Sequence, residues 1–236
     1  MKLIIVKDNI EGAQKGFEII EDAYKSNTLH TMGLATGSTP LTLYKRMVES
    51  DLDFSTVTSV NLDEYVGLTG DHPQSYRYFM EQNLFQYKPF KATYVPDGSN
   101  DNEQAVSDEY EAIIAAHPID IQILGIGGNG HIGFNEPGSS FDSITRKVEL
   151  KEETIEANAR FFDSIDEVPT FAYSMGIKDI LSAKKVLLFA YGEQKADAIR
   201  RLFEEDKTTD LPASALKDHS DVIVIVDEKA ASALTQ

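Results

Sequence analysis

The run from residue 222 to 226 reads Val-Ile-Val-Ile-Val. A strand that is β-branched and apolar at successive positions has no face to offer water, so it must be covered on both sides. Residues 3–6, 29–35, 57–62, 120–125 and 185–191 read as further strands. The stretches between them have helical spacing: 9–26, with Phe17, Ile20 and Tyr24 three and four apart, then 40–49, 75–85, 102–116 and 193–204. Strand and helix alternate from end to end, which predicts an α/β fold with an open, mostly parallel sheet and helices on both faces, a Rossmann-like three-layer arrangement. No repeat, low-complexity tract or linker divides the chain, so residues 1–236 are expected to form one domain. Segment 146–173 breaks the rhythm with polar sequence and is expected to be an insertion over the sheet edge that forms a lid.

A chain of 236 residues, 42% hydrophobic, can bury one sizeable core. It has no cysteine, which excludes disulfides and thiolate metal sites. The formal net charge of −17 disfavours nucleic acid and anionic membranes as partners, since both demand a basic face. No signal peptide or membrane-length apolar run is visible, so a cytoplasmic location is expected. An anionic small molecule would need local cations and backbone N–H groups, few in number and identifiable.

Residues Gly125, Gly127 and Gly130 carry the spacing of a dinucleotide-binding fingerprint after an apolar strand. In that fingerprint the third glycine opens a helix whose N-terminus holds the pyrophosphate. Here Gly133, Pro137 and Gly138 follow within eight residues of Gly130, and such a stretch cannot continue a helix. The loop is instead expected to present His131, Asn135 and Glu136 at the carboxyl edge of the strand.

Ligands of open α/β sheets bind outside the carboxyl ends of the strands. After 29–35 comes Thr36-Gly37-Ser38-Thr39-Pro40, which suits a phosphate as well as an ordinary helix cap. After 57–62 comes Asp63-Glu64-Tyr65, a weak signal alone. After 185–191 comes Lys195 in a first helical turn, where a cation opposes the helix dipole; it is either solvated or close to an anion. Four strand ends thus converge on a phosphate-type loop, an acid, a His/Glu pair and a lysine. His30, His117 and His219 are expected to be structural or superficial, and His72 to belong to a loop. No His-x-x-x-His or similar spacing suggests a metal site.

The motifs "ATGSTP", "LDEYVG", "GIGGNGHIGFNEPGSS", "ANARFF" and "GEQKA", in this order over nearly the whole chain, resemble those of the glucosamine-6-phosphate deaminase family. The "GFNEPGSS" tail distinguishes the loop from that of 6-phosphogluconolactonases. The resemblance implies conversion of glucosamine 6-phosphate and water to fructose 6-phosphate and ammonia in amino-sugar catabolism, with no metal or redox cofactor. It implies that Asp63 is the acid/base group, His131 the ring-opening group, Glu136 its partner and Asn129 an orienting group. It also implies that Thr36, Gly37, Ser38, Thr39, Arg160 and Lys195 bind the phosphate. Some family members have Asp at the position of Asn129, so no proton-transfer role is expected of it.

Two alternatives have distinct signatures. A lactonase would hydrolyse a phosphogluconolactone and release no ammonia. A non-catalytic sugar-phosphate module, as in sugar-responsive repressors, would carry a basic DNA-binding segment, and none is found. Some family members are hexamers activated by N-acetylglucosamine 6-phosphate through basic residues after the "FNEP" loop and a C-terminal extension. Here Arg146 is kept, Val148 falls where a family lysine would stand, and the sequence ends at Gln236. The expectation is hyperbolic kinetics in a monomer or small homo-oligomer.

Overall fold

The computed structural model describes residues 1–235, apart from the side chains at 153, 157 and 161. Seven strands form one parallel sheet: β1 (Lys2–Val6), β2 (Thr31–Leu34), β3 (Thr58–Asn61), β5 (Ala92–Tyr94), β6 (Ile121–Leu124), β9 (Lys185–Ala190) and β10 (Val222–Asp227). Their spatial order is β1-β10-β9-β6-β2-β3-β5, and every neighbouring pair is parallel. The Val-Ile run lies inside this sheet and alternates as a strand must. Val222, Val224 and Val226 enter the core on one face and Ile225 the core on the other. Its neighbour β9 divides in the same way, with Val186 and Leu188 on the first face and Leu187 and Phe189 on the second.

Helices cover both faces. Helices α1 (Asn9–Lys25) and α2 (Leu41–Val48) bury Phe17, Ile20, Leu43, Tyr44 and Met47 on the second face. Helices α4 (Glu103–Ala116), α6 (Ile177–Leu181) and α7 (Ala196–Glu204) bury Tyr110, Ile114, Ile180, Ile199 and Leu202 on the first. Helix α1 starts where Asp8 accepts the N–H groups of Ile10 and Glu11 at 3.0 and 2.9 Å, a side-chain cap worth about 1 kcal/mol. At the amino edge of the sheet, Asp120 fastens three strands. Its carboxylate accepts from His30 N, Thr31 N and Lys184 Nζ at 2.7, 2.9 and 2.6 Å.

A second sheet was not legible as such in the sequence. Strand β4 (Asp63–Tyr65) leaves the main sheet one residue after β3 and pairs antiparallel with β8 (Phe171–Ser174), which pairs with β7 (Arg146–Glu149). Segment 146–173 therefore begins and ends in strands. What lies between them is α5 (Glu152–Asn158), followed by 3₁₀ turns at Ala159–Phe161 and Ile165–Glu167. The strands were hidden because β7 is only partly buried and carries Arg146, Lys147 and Glu149 in sequence. Helix α3 (Tyr76–Met80) continues as a π turn, Glu81–Phe85, in place of a regular helix over 75–85.

The histidines away from the carboxyl ends of the strands are structural or superficial. His219 accepts from Asp221 N at Nδ1, so its Nε2 carries the proton and donates to Ala183 O at 2.6 Å. The His117 ring stacks on Tyr94 with centroids 5.1 Å apart. His30 is exposed, and His72 accepts from Gln74 N within its loop.

Candidate active site

The parallel sheet brings its carboxyl ends to one edge, and a cavity of about 410 Å³ opens there. Thr36, Gly37, Ser38, Thr39, Asp63, Asn129, His131, Arg160 and Lys195 all line it. Glu136 lies just behind, 7% exposed, and reaches the cavity through its partners.

Asp63 opens β4 and is 6% exposed. Burial pushes its carboxyl up to about 8, and the adjacent Glu64 adds to the rise. Glu64 is itself raised to about 7 by burial, against three backbone donors that favour its charge. Those donors are the N–H groups of Tyr65, Tyr76 and Arg77 at 2.8, 2.9 and 2.9 Å. Glu64 therefore caps α3 and fixes Tyr76, which lines the cavity with Phe134. These two rings are stacked, 3° from parallel with centroids 6.1 Å apart.

The glycine loop opens no helix after Gly130; the chain turns at Gly127–Gly130 and again at Ile132–Asn135. The glycines serve close approach instead. A Cβ on Gly127 would lie 2.3 Å from His131 Cε1 and Nδ1, so only glycine lets the imidazole fold back over the turn. Gly133 has φ +56°, and a Cβ there would sit 3.1 Å from Ser174 Oγ and 3.7 Å from Asp63 Oδ2. The loop is held to the second sheet by Phe134 N donating to Ser174 Oγ at 3.1 Å.

Asn135 does not face the cavity, contrary to expectation. It is fully buried and structural: its amide donates to Ile132 O and Met175 O, both at 2.9 Å, while its Oδ1 accepts from Arg146 Nη1 at 2.9 Å. A buried carboxamide must satisfy all its polar atoms, and here the backbone and Arg146 do so.

His131, Asn129 and Glu136 form a hydrogen-bonded chain. Asn129 Nδ2 donates to Glu136 Oε2 at 2.9 Å, and Asn129 Oδ1 accepts from His131 N at 3.1 Å. A carboxylate only accepts and a backbone N–H only donates, so these two bonds fix which way the amide points. Asn129 Oδ1 also lies 2.8 Å from His131 Nδ1. A carbonyl oxygen can only accept, so Nδ1 carries a proton and the neutral ring has its bare lone pair at Nε2. Glu136 Oε2 lies 3.6 Å from Nδ1. Burial pushes the Glu136 carboxyl up, but His131, Thr154 and Asn129 override this and hold it down at about 2. A permanent carboxylate therefore stands behind the imidazole, ready to balance a positive charge.

Lys195 lies at the start of α7, half-buried. Burial, and then the guanidinium of Arg160, hold its pKa below the ordinary lysine range. Both cations line the same cavity, in a chain with 39 acidic and 22 basic residues, and give it a local positive field that suits an anion. The 36–39 loop, just ahead of the positive end of α2, faces the same cavity.

Thr154, Asn158 and Tyr76 also line the cavity and were not anticipated. Tyr76 falls in a segment recognised only as aromatic. Thr154 and Asn158 lie on a short helix with Ile155 as its one large apolar residue, too little to set a period that marks the buried side. Among the described residues, no group of three or more His, Cys, Asp or Glu could hold a metal ion. No helix among them is long and apolar enough to cross a membrane.

A doubly covered parallel sheet with acid–base groups and paired cations at its carboxyl edge defines an α/β enzyme acting on a small molecule. Residues 10–225 match the family model of glucosamine-6-phosphate isomerases/6-phosphogluconolactonase. A glucosamine-6-phosphate deaminase of Streptococcus pneumoniae serotype 4 is 58% identical over 234 residues, covering 99% of this chain and 100% of the relative. A monomeric glucosamine-6-phosphate deaminase of known structure is 44% identical with a TM-score of 0.94, covering 99% of this chain and 100% of that one. The 6-phosphogluconolactonase of Leishmania guyanensis, 21% identical with a TM-score of 0.81 over 100% of this chain and 99% of that one, shares the fold. The chain belongs to the glucosamine-6-phosphate isomerase/6-phosphogluconolactonase family.

Proposed function

We propose that the protein is a glucosamine-6-phosphate deaminase, converting glucosamine 6-phosphate and water to fructose 6-phosphate and ammonia in amino-sugar catabolism. The observation that carries this is one cavity holding a buried, proton-poised Asp63 and the His131–Asn129–Glu136 chain beside the Lys195–Arg160 cation pair. Lys195, Arg160 and the 36–39 loop hold the phosphate, with the segment between β7 and β8 as the lid that carries Arg160. Holding the phosphate orients the rest of the sugar and removes much of the entropic part of the barrier.

The substrate enters as a closed pyranose. His131 Nε2 takes the proton of the anomeric hydroxyl and returns it to the ring oxygen as the C1–O5 bond breaks. While it holds that proton the ring is an imidazolium, balanced by Glu136 and kept in place by Asn129. Asp63, as carboxylate, then removes the C2 proton of the open aldose and returns it at C1. Water adds to the resulting C2 imine, and the carbinolamine expels ammonia. A carboxyl whose pKa lies near 8 is a stronger base than a solvated one, which suits a carbon acid. A phosphorylated sugar does not cross an apolar membrane unaided, so the enzyme works where the sugar is phosphorylated, in the cytoplasm.

Purified protein is expected to release ammonia from glucosamine 6-phosphate; hydrolysis of 6-phosphogluconolactone without ammonia release would favour lactonase chemistry instead. His131→Gln is expected to lower kcat on the closed sugar by about 10²-fold or more, with a much smaller loss on substrate supplied in open-chain form. Equal losses on both would remove the division of labour between His131 and Asp63.

The protein acts as a monomer or small homo-oligomer without activation by N-acetylglucosamine 6-phosphate. Arg146 is engaged inside the protomer with Asn135, and Val148 packs in the apolar cluster of Tyr65, Phe134, Leu150 and Ala172. Neither leaves a cationic pair for a second phosphate. Light scattering is expected to give a mass well below that of a hexamer, and rate curves to be hyperbolic with and without the acetylated sugar phosphate. A sigmoidal curve made hyperbolic by that ligand contradicts this reading.

A further inference from the structure

Glu136 uses its two oxygens differently. Oε2 faces Asn129 and His131. Oε1 accepts from the hydroxyl of Thr154, which is 6% exposed and lies on helix α5. Among the described residues Thr154 supplies the hydrogen bond to Oε1, and that bond opposes rotation of the carboxylate away from the imidazole. The neighbouring lid residue Lys151 donates from Nζ to Pro137 O at 3.2 Å. Both of these polar contacts from the start of the lid thus fall on two consecutive residues of the catalytic loop. Apolar anchors come from Ile155 and Phe162, which pack against the Tyr65, Phe134, Leu150 and Ala172 cluster. Further along the same segment, Asn158 and Arg160 line the cavity, and Arg160 stands beside Lys195. One short helix therefore touches the ring-opening chain near its first turn and the cation pair just past its last.

We propose that Thr154 is a positioning residue for ring opening: it holds the second oxygen of Glu136 from the lid helix, so that seating the lid over a bound phosphate completes the His131–Asn129–Glu136 chain. The proposal rests on the deaminase reading for its substrate, though not for its geometry. It makes the phosphate more than a handle. Binding energy collected at a group remote from the reacting carbons orients the groups that open the ring.

Thr154→Val keeps the shape and removes the hydroxyl, while Thr154→Ser keeps the hydroxyl. On glucosamine 6-phosphate, Val is expected to lower kcat about tenfold or more, the loss of a hydrogen bond to a charged group, and Ser to stay close to wild type. Glucosaminitol 6-phosphate, the reduced open-chain analogue, needs no ring opening and is expected to bind Val and wild type alike. An unchanged kcat in Val, equal losses in Val and Ser, or analogue binding that falls in step with kcat would each overturn the assignment. The coupling is read without turnover, by hydrogen exchange of the amides of 152–158 with and without inorganic phosphate. Phosphate is expected to slow exchange in wild type and to do so less in Val. No slowing in wild type, or the same slowing in both, would overturn the coupling. Ammonia release by wild type reports on the deaminase reading by itself.

Discussion

Asp63→Asn is expected to lower kcat by about 10²–10⁴-fold or more, the range typical of a lost general base, and to stop exchange of the substrate C2 hydrogen with solvent. The amide keeps the shape of the carboxylate, so a phosphorylated ligand should still bind within a few fold. Exchange at the wild-type rate in the variant would mean that another group takes the proton. The buried position of Asp63 sets a pH dependence. With its carboxyl pushed up to about 8, mainly by burial and further by Glu64, it is largely protonated at neutral pH in the free protein. In wild type, kcat/KM should therefore climb as pH rises through about 8. The same shift has a stability cost of definite sign. A carboxyl protonated more tightly folded than unfolded contributes stability below its unfolded pKa, about 3.9, and that contribution is lost as pH rises through the folded value near 8. Asp63→Asn cannot ionise, so it should be the more stable protein at pH 8–9, by on the order of a few kcal/mol. Thermal unfolding of both at pH 5 and pH 9 measures this: a difference that does not grow with pH would place Asp63 in a more polar setting.

Lys195→Ala is expected to raise KM for glucosamine 6-phosphate strongly and to lower kcat/KM by about 10–150-fold, from the ~1.5–3 kcal/mol of a charge-assisted bond to phosphate. Lys195 is disfavoured as a cation by burial and by Arg160. A dianionic phosphate opposes both effects, since its negative charge favours the lysine cation and offsets the repulsion from Arg160. The mutation should also erode discrimination between phosphorylated and unphosphorylated amino sugar. Arg160→Ala should act in the same direction, with a larger share in kcat if its contact forms as the lid seats. An unchanged KM in both variants would put the phosphate elsewhere.

Much of the site was legible in residues near the strand ends, because a parallel sheet delivers the carboxyl ends of its strands to a common edge. Asp63, His131, Lys195 and the 36–39 loop could be picked out separately and meet as expected around one cavity. The glycine loop could be separated from a dinucleotide fingerprint because a helix cannot form over Gly133, Pro137 and Gly138. Asn135 was misjudged for a reason that local sequence does not contain. Its neighbours are Arg146, which opens β7 of the second sheet, and Met175, which follows β8, and those contacts turn it inward.

What the sequence determined by itself is whatever depends on short-range period and chemistry: the covered strands such as 222–226, the capped helices, the acid, imidazole and cation types, and the exclusion of thiol chemistry. The tertiary structure alone decided which of these groups meet and how they ionise. Strand β4 turns out of the main sheet to pair with β8, which seats Asp63 beneath the loop that carries His131. Thr154 reaches Glu136 across eighteen residues of chain, from a short helix whose mostly polar sequence gives no period to mark that side. Desolvation belongs to no single residue. It arises from all the segments that together exclude water, and so the proton affinity of Asp63 is a property of the folded protein.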